Sequence, residues 1–203
     1  LSLRDTVGFP KDKIYLVETT TESASYIGNA QDPAGLDAIA KVVINWRNYT
    51  EAYGYSDTYF YGMDEVQGDI LSSQRPAWKT VHENGGKVFV AGFGSELLKV
   101  ADILDTGISC DAPTAAQADL WHDYGHTVLS YGNPQVGVEN PEIYRKNFGF
   151  VLWNAGYDGA MDFAYQYQFG KSIWNDFDDA TYPRYRDHVF TYPVTDGVID
   201  TIQ

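Results

Sequence analysis

Thr58-Tyr59-Phe60-Tyr61-Gly62-Met63-Asp64-Glu65 is a run of β-branched and aromatic residues that closes on two carboxylates. Such a run reads as a buried strand. What flanks it reads as helix. On the N-terminal side, Leu36, Ile39, Ala40, Val43 and Trp46 or Arg47 recur at helical spacing. They predict a helix from about Pro33 to Tyr53, with Pro33 suited to its first turn. On the C-terminal side, a helix from about Ile70 to Asn84 stops at Gly85-Gly86.

The same strand-helix unit recurs along the chain. Parallel strands are expected at about 14–17, 58–63, 87–91, 103–110 (broken in the middle), 127–131 and 159–164. Between them lie helices over about 114–124, ended by Gly125, and over about 141–155, ended by Gly156. Val189 to Tyr192 and Val198 to Ile202 then read as a hairpin. Strands that alternate with helices imply a parallel sheet. No glycine-rich phosphate loop follows the first strand, which favours a barrel over a doubly wound sheet. The expected fold is therefore α/β, a (β/α)8 TIM-type barrel in a single domain over 1–203. Six strands do not close such a barrel, so two are expected before Leu1 and a last helix after Gln203.

Composition narrows the function. At 44% hydrophobic and 21% charged, the chain is an ordinary globular one. Its formal net charge of -14 argues against nucleic acid and anionic membrane surfaces as partners. No apolar stretch is long enough to span a membrane. Cys110 is the one cysteine, so an internal disulfide and a cysteine-based zinc site are both excluded. Aromatics make up 15% of the residues, with 16 Tyr and 5 Trp. Such rings suit the C–H face of a sugar, although most rings of a folded chain fill its core. Secretion or a periplasmic location is the expectation, with any leader removed upstream. Composition leaves the oligomeric state open.

In a barrel of this type the site lies at the C-terminal ends of the strands. Those ends supply Glu18, Asp64, Glu65, Asp111, Tyr131, Asn133, Asp162 and Tyr165, with Tyr61 leading into the Asp-Glu pair. They contain no Lys or His, which speaks against Schiff-base chemistry and a zinc hydrolase. No cofactor or metal is expected. Converging carboxylates and aromatics fit glycosidic cleavage, in which one carboxyl protonates the leaving oxygen. Side chains alternate along a strand, so Asp64 and Glu65 face one site only if the backbone leaves the sheet there. Adjacent acids do not flank a sugar at about 5–9 Å, but they suit a mechanism in which a 2-acetamido group supplies the nucleophile. A two-carboxylate route pairing Glu65 with Glu18 or Asp162 is the alternative, and a silent glycan-binding or scaffold barrel is another.

Tyr61-Gly62-Met63-Asp64-Glu65 resembles the strand-four motif of glycoside hydrolase family 123, the retaining β-N-acetylgalactosaminidases and their environmental relatives. Asp158 to Tyr165 looks like that family's last barrel strand, and Tyr192-Pro193 through Ile202 is similar to the hairpin before its final helix. The resemblance implies a retaining glycosidase acting on a glycan, with Glu65 as general acid/base and Asp64 orienting the acetamido group. Where the family usually has proline after its Asp-Glu, this chain has Val66-Gln67-Gly68.

Other clusters are weaker. His122 and His126 have a metal-like spacing, yet Gly125 places His126 beyond the helix end. Asp176, Asp178 and Asp179 lack the glycine and distal glutamate of a calcium loop. Trp174, in the same long loop, is expected at the site mouth against a sugar. Asn133, before Pro134, reads equally as a sugar ligand or a turn residue. Trp46, Trp78, Trp121 and Trp153 are expected to seal helices against the barrel.

Overall fold

The computed structural model describes residues 1–17, 27–28, 30–132, 141–162, 166–167, 188–189 and 191–200. Six strands form one sheet in sequential order: β1 (Lys13–Leu16), β2 (Asp57–Tyr61), β3 (Lys87–Gly92), β4 (Thr106–Ser109), β5 (Thr127–Ser130) and β6 (Gly159–Ala160). The pairs β1–β2, β2–β3 and β5–β6 are parallel, with Tyr15 opposite Tyr59 and Tyr61 opposite Phe89. Each of the six expected strands is found, most of them a residue or more shorter. Residues 103–105, expected to begin the fourth strand, are turn and coil. The parallel order with intervening helices is consistent with part of a TIM-like barrel.

By contacts the chain divides into two compact units: residues 1–107 with 120–126, and residues 108–119 with 127–203. Strand β4 belongs to both.

In the first unit, a short helix α1 (Ser2–Thr6) precedes β1, and α2 (Pro33–Ala52) follows it. Asp32 caps α2 by accepting hydrogen bonds from the Ala34 and Gly35 amides, each at 3.0 Å. Strand β2 is buried on both faces, as expected of a parallel sheet covered on both sides. Thr58 and Phe60 turn toward the helices: the Thr58 hydroxyl meets Thr50 of α2 at 2.6 Å, and Phe60 packs where Gly86 leaves room. Tyr59 and Tyr61 point to the other face, where Tyr15, Tyr59, Tyr61 and Phe89 form a chain of ring contacts. Burying each such side chain stabilises the fold by about 1.5–3 kcal/mol.

The helix expected over 70–84 is two: α3 (Gly68–Ser73) and α4 (Arg75–Glu83). The cause is Pro76, which has no N–H to give to the preceding turn. Gln74 sits at the joint. A 310 turn (Leu98–Val100) follows α5 (Gly94–Leu97). Trp121, in the last turns of α6 (Ala115–Asp123), lies against β4 because Gly107 has no side chain; a Cβ there would be 2.3 Å from its ring.

In the second unit, the helix expected over 141–155 holds α7 (Pro141–Arg145), a π turn (Lys146–Val151) and α8 (Leu152–Ala155). Gly156 ends it at φ +72. Trp78 and Trp121 are buried as expected of sealing residues, but Trp153 is 85% exposed and seals nothing. Short strands β7 (Gln166–Tyr167) and β8 (His188–Val189) pair antiparallel, as do β9 (Thr191–Val194) and β10 (Gly197–Asp200). The latter is the expected hairpin, moved along the chain: Val194 lies opposite Gly197, while Val189, expected in its first strand, pairs with Gln166.

Candidate functional site

The exit of β2 contains an extra residue. Gly62 N–H donates to the Phe89 carbonyl at 3.0 Å, so a regular parallel ladder would bring Asp64 N–H to Ala91. Instead Glu65 N–H makes that bond, also at 3.0 Å. Three residues of β2's continuation thus match two of β3. This is a bulge, and bulges re-aim side chains near sites. Glu65 takes up the extra length at φ +50, among the described residues the sole non-glycine residue with positive φ. The left-handed conformation costs a residue such as glutamate about 1–2 kcal/mol. Asp64 Oδ1 accepts a 2.6 Å hydrogen bond from the buried Tyr61 hydroxyl. Both acids are exposed. The bulge breaks the strict alternation of a strand at this point.

Behind this turn lies Gln74, fully buried, whose Oε1 accepts from Met63 N–H at 2.7 Å. Its Nε2 and the indole N–H of the equally buried Trp78 make no hydrogen bond among the described residues. Below the turn, the Gly68 amide donates to Glu96 at 2.9 Å, and Lys99 holds the other Glu96 oxygen at 2.5 Å. The Lys99 hydrogen bond, followed by that of Gly68, draws the Glu96 carboxyl below the usual carboxylate range.

The second unit ends its strands differently. The last residue of β4, Ser109, accepts from the Asp111 amide at 3.1 Å, and the last residue of β5, Ser130, accepts from the Gly132 amide at 3.1 Å. Both serines are buried. Next to them is a cavity of about 230 Å³, lined by Cys110, Asp111, Pro113, Ser130, Asn147 and Val151 among others. Its walls carry a thiol, a carboxylate, a hydroxyl and an amide, with Phe148 on the apolar side and, among the described residues, no lysine or arginine. The Cys110 thiol stands 3.8 Å from Asp111 Oδ1. Nearby, burial pushes the Tyr157 phenol above its ordinary pKa; a hydrogen bond with Ser109 opposes this and the Asp111 charge adds to it.

Of the residues expected at the site, Tyr61, Asp64 and Glu65 are brought together in the first unit. Tyr131 and Asp162 fall in the second, both half-buried, with Tyr131 N–H bonded to the Ser109 carbonyl at 3.0 Å. Glu18, Asn133, Tyr165 and Trp174 lie outside the described residues, as do Asp176, Asp178 and Asp179. The Glu65 side chain stands on an exposed turn. Cys110, Ser130, Asn147 and Gln74 were not anticipated. Serine as the last residue of two successive strands, each with its i+2 amide to hold, is the signal that the sequence did contain. His126 lies beyond α6, and its Nδ1 pairs with the Ala101 carbonyl at 2.7 Å.

Fold and sites together define an α/β domain with a sequential parallel sheet and polar groups at the C-terminal ends of its strands. No family model matches the chain. No curated protein matches it either. The resemblance to glycoside hydrolase family 123 is therefore not sustained. The retaining-glycosidase activity and the hydrolase class, argued from the strand-end carboxylates as well as from this resemblance, are withdrawn. Among solved structures, the chain is similar to a truncated form of 3-deoxy-D-arabino-heptulosonate 7-phosphate synthase from Thermotoga maritima, which is by its title a synthase and not a glycosidase. The identity is 14% and the TM-score 0.39, over 74% of this chain and 57% of that one. The chain thus spans just over half the length of that protein, and a likeness this distant says nothing of its chemistry. No helix among the described residues is long and apolar enough to cross a membrane.

Proposed function

We propose that this chain is a ligand-binding domain of the (β/α)8-barrel type that takes a small, unphosphorylated, hydroxyl-rich molecule at its strand ends. The observation that carries this reading is the cavity beside β4 and β5. It is smaller than the roughly 300–1,000 Å³ of drug-sized sites, so its ligand is small. Its polar groups are Asp111, Ser130, Asn147 and Cys110, which suit a molecule offering several O–H donors. With a carboxylate and no cation among the described lining residues, an anion such as a phosphate ester is expected to meet repulsion there. In the first unit, the exposed Asp64 and Glu65 carboxylates are assigned the same task of accepting hydrogen bonds from hydroxyls.

Cys110 allows a direct test, since it is the chain's one thiol and lines the cavity. Its alkylation rate is measured with glycerol, inositol and glucose, and again with their phosphates, at millimolar concentration. Unphosphorylated polyols are expected to slow alkylation in a saturable way, and Asp111→Asn to weaken that protection. Equal protection by the phosphates, or none by any polyol, sinks the reading.

A further inference from the structure

β2 runs between β1 and β3, and its register with β1 runs as far as the Leu16–Phe60 pair. Beyond that pair, the backbone groups facing the β1 side still need bonds, because unpaired buried amides are rare. One is met by the main chain: Ile27 N–H donates to the Tyr61 carbonyl at 2.9 Å. The next is met by a side chain: Met63 N–H donates to Gln74 Oε1 at 2.7 Å. Among the described residues, Gln74 thus does for Met63 what a neighbouring strand would do.

The space is built for that amide. A Cβ on Gly28 would lie 2.1 Å from Gln74 Oε1, and one on Gly62 would lie 3.0 Å from the same atom. Two glycines from separate segments leave room for one carboxamide. Among the described residues its Nε2 makes no hydrogen bond, so the bond to Met63 is the one that fixes the direction of the group. Met63 immediately precedes Asp64, and Glu65 N–H is tied to Ala91 on the opposite side. The bulge is gripped from both flanks. A left-handed glutamate persists only where its surroundings over-determine it.

We propose that Gln74 is the positioning residue of the Asp64–Glu65 pair: from behind the sheet it holds Met63 and so sets where the two carboxylates stand. This rests on the reading that Asp64 and Glu65 face a ligand. The effect is transmitted through the backbone, and Gln74 itself touches no ligand.

Amide hydrogen exchange, followed residue by residue without ligand, tests the inference. Gln74→Met keeps the length and removes the acceptor; Met63 and Glu65 amides should exchange about tenfold faster, with Val88 and Phe89 of β3 unchanged. Gln74→Glu, in which a carboxyl oxygen replaces Oε1, should restore Met63 protection. Unchanged Met63 exchange in Gln74→Met overturns the proposal, and so does a uniform rise across β2 and β3, which would make Gln74 a packing residue only. If Gln74→Met does not fold, Gly28→Ala, which presses on Oε1, must loosen Met63 selectively. A second arm follows the Glu65 amide shift on adding inositol. Should wild type not respond, the ligand reading falls, while the exchange data still decide the role of Gln74. Should wild type respond, Gln74→Met must weaken the response about tenfold.

Discussion

The exit of β2 and the exits of β4 and β5 solve one problem in two ways. Each must stop a buried parallel strand and satisfy the amides that follow. At β4 and β5 the solution is local: Ser109 and Ser130 each accept the amide two residues on. At β2 it is distant: the amide of Met63 is held by Gln74, eleven residues away at the joint of α3 and α4. A local bond forms with little demand on the rest of the unit. A distant one requires several segments to be packed first, but it imposes a backbone course that local preference would reject. The first kind gives a regular exit beside a cavity, the second a strained bulge that presents two acids.

Two glycines measure that difference, and the effect expected is the largest. A Cβ at Gly62 would stand 2.5 Å from Val90 Cγ2 and 3.1 Å from Trp78 Nε1. Gly62→Ala should therefore lower stability by about 3 kcal/mol, the upper part of the range for overpacked cores. At Gly132 the nearest atom is the Ser130 hydroxyl at 3.3 Å, a light group that can shift, and then backbone oxygens at 3.5 and 3.6 Å. Gly132→Ala should change stability by no more than about 0.5 kcal/mol. Urea unfolding of both variants checks the pair. Similar losses would mean that the two exits are packed alike.

The serine exits give the next effect. Ser130 is 3% exposed, and removing its hydroxyl leaves the Gly132 amide without its bond. Ser130→Ala should cost about 1–2 kcal/mol. The cost should stay local, raising hydrogen exchange at Gly132 and Tyr131 while Met63 is unaffected. A change at Met63 would show that the two kinds of exit are coupled.

This division also sets what the sequence could reveal. The strands were legible because Tyr59-Phe60-Tyr61 and Val88-Phe89-Val90 carry their burial in their own composition. Sequential order followed from the helical segments between them. The Asp64–Glu65 pair could be picked out as strand-end acids, but not its geometry. The bulge depends on Gln74, Gly28 and Ala91, which are near Glu65 only once the sheet has formed. Pro76 announced a helix break that periodicity over 70–84 concealed. The likeness to a glycosidase family rested on short segments and failed because a strand end with two acids is common to many chemistries. Trp153 misled for a related reason: helical spacing gives the face of a helix, not whether another element covers it.

The smallest expected effect has the opposite sign. Glu65 is left-handed at φ +50, and relieving that strain is worth about 1–2 kcal/mol. Glycine adopts this conformation freely, but it gains about 0.5–1 kcal/mol of freedom in the unfolded chain, which offsets part of the relief. Glu65→Gly should thus stabilise the protein by about 0.5 kcal/mol, the difference between these two terms. Asparagine, which tolerates the left-handed region, should give a gain without the full entropic loss. The urea midpoint should rise in both variants with the slope unchanged, since neither alters the surface exposed on unfolding. Both variants remove the Glu65 carboxylate, so they should also lose any polyol response at this turn. If Glu65→Gly is less stable than wild type, the carboxylate is holding the fold through its own contacts. Its place on the bulge would then be structural, and the contrast between the two kinds of strand exit would lose its functional half.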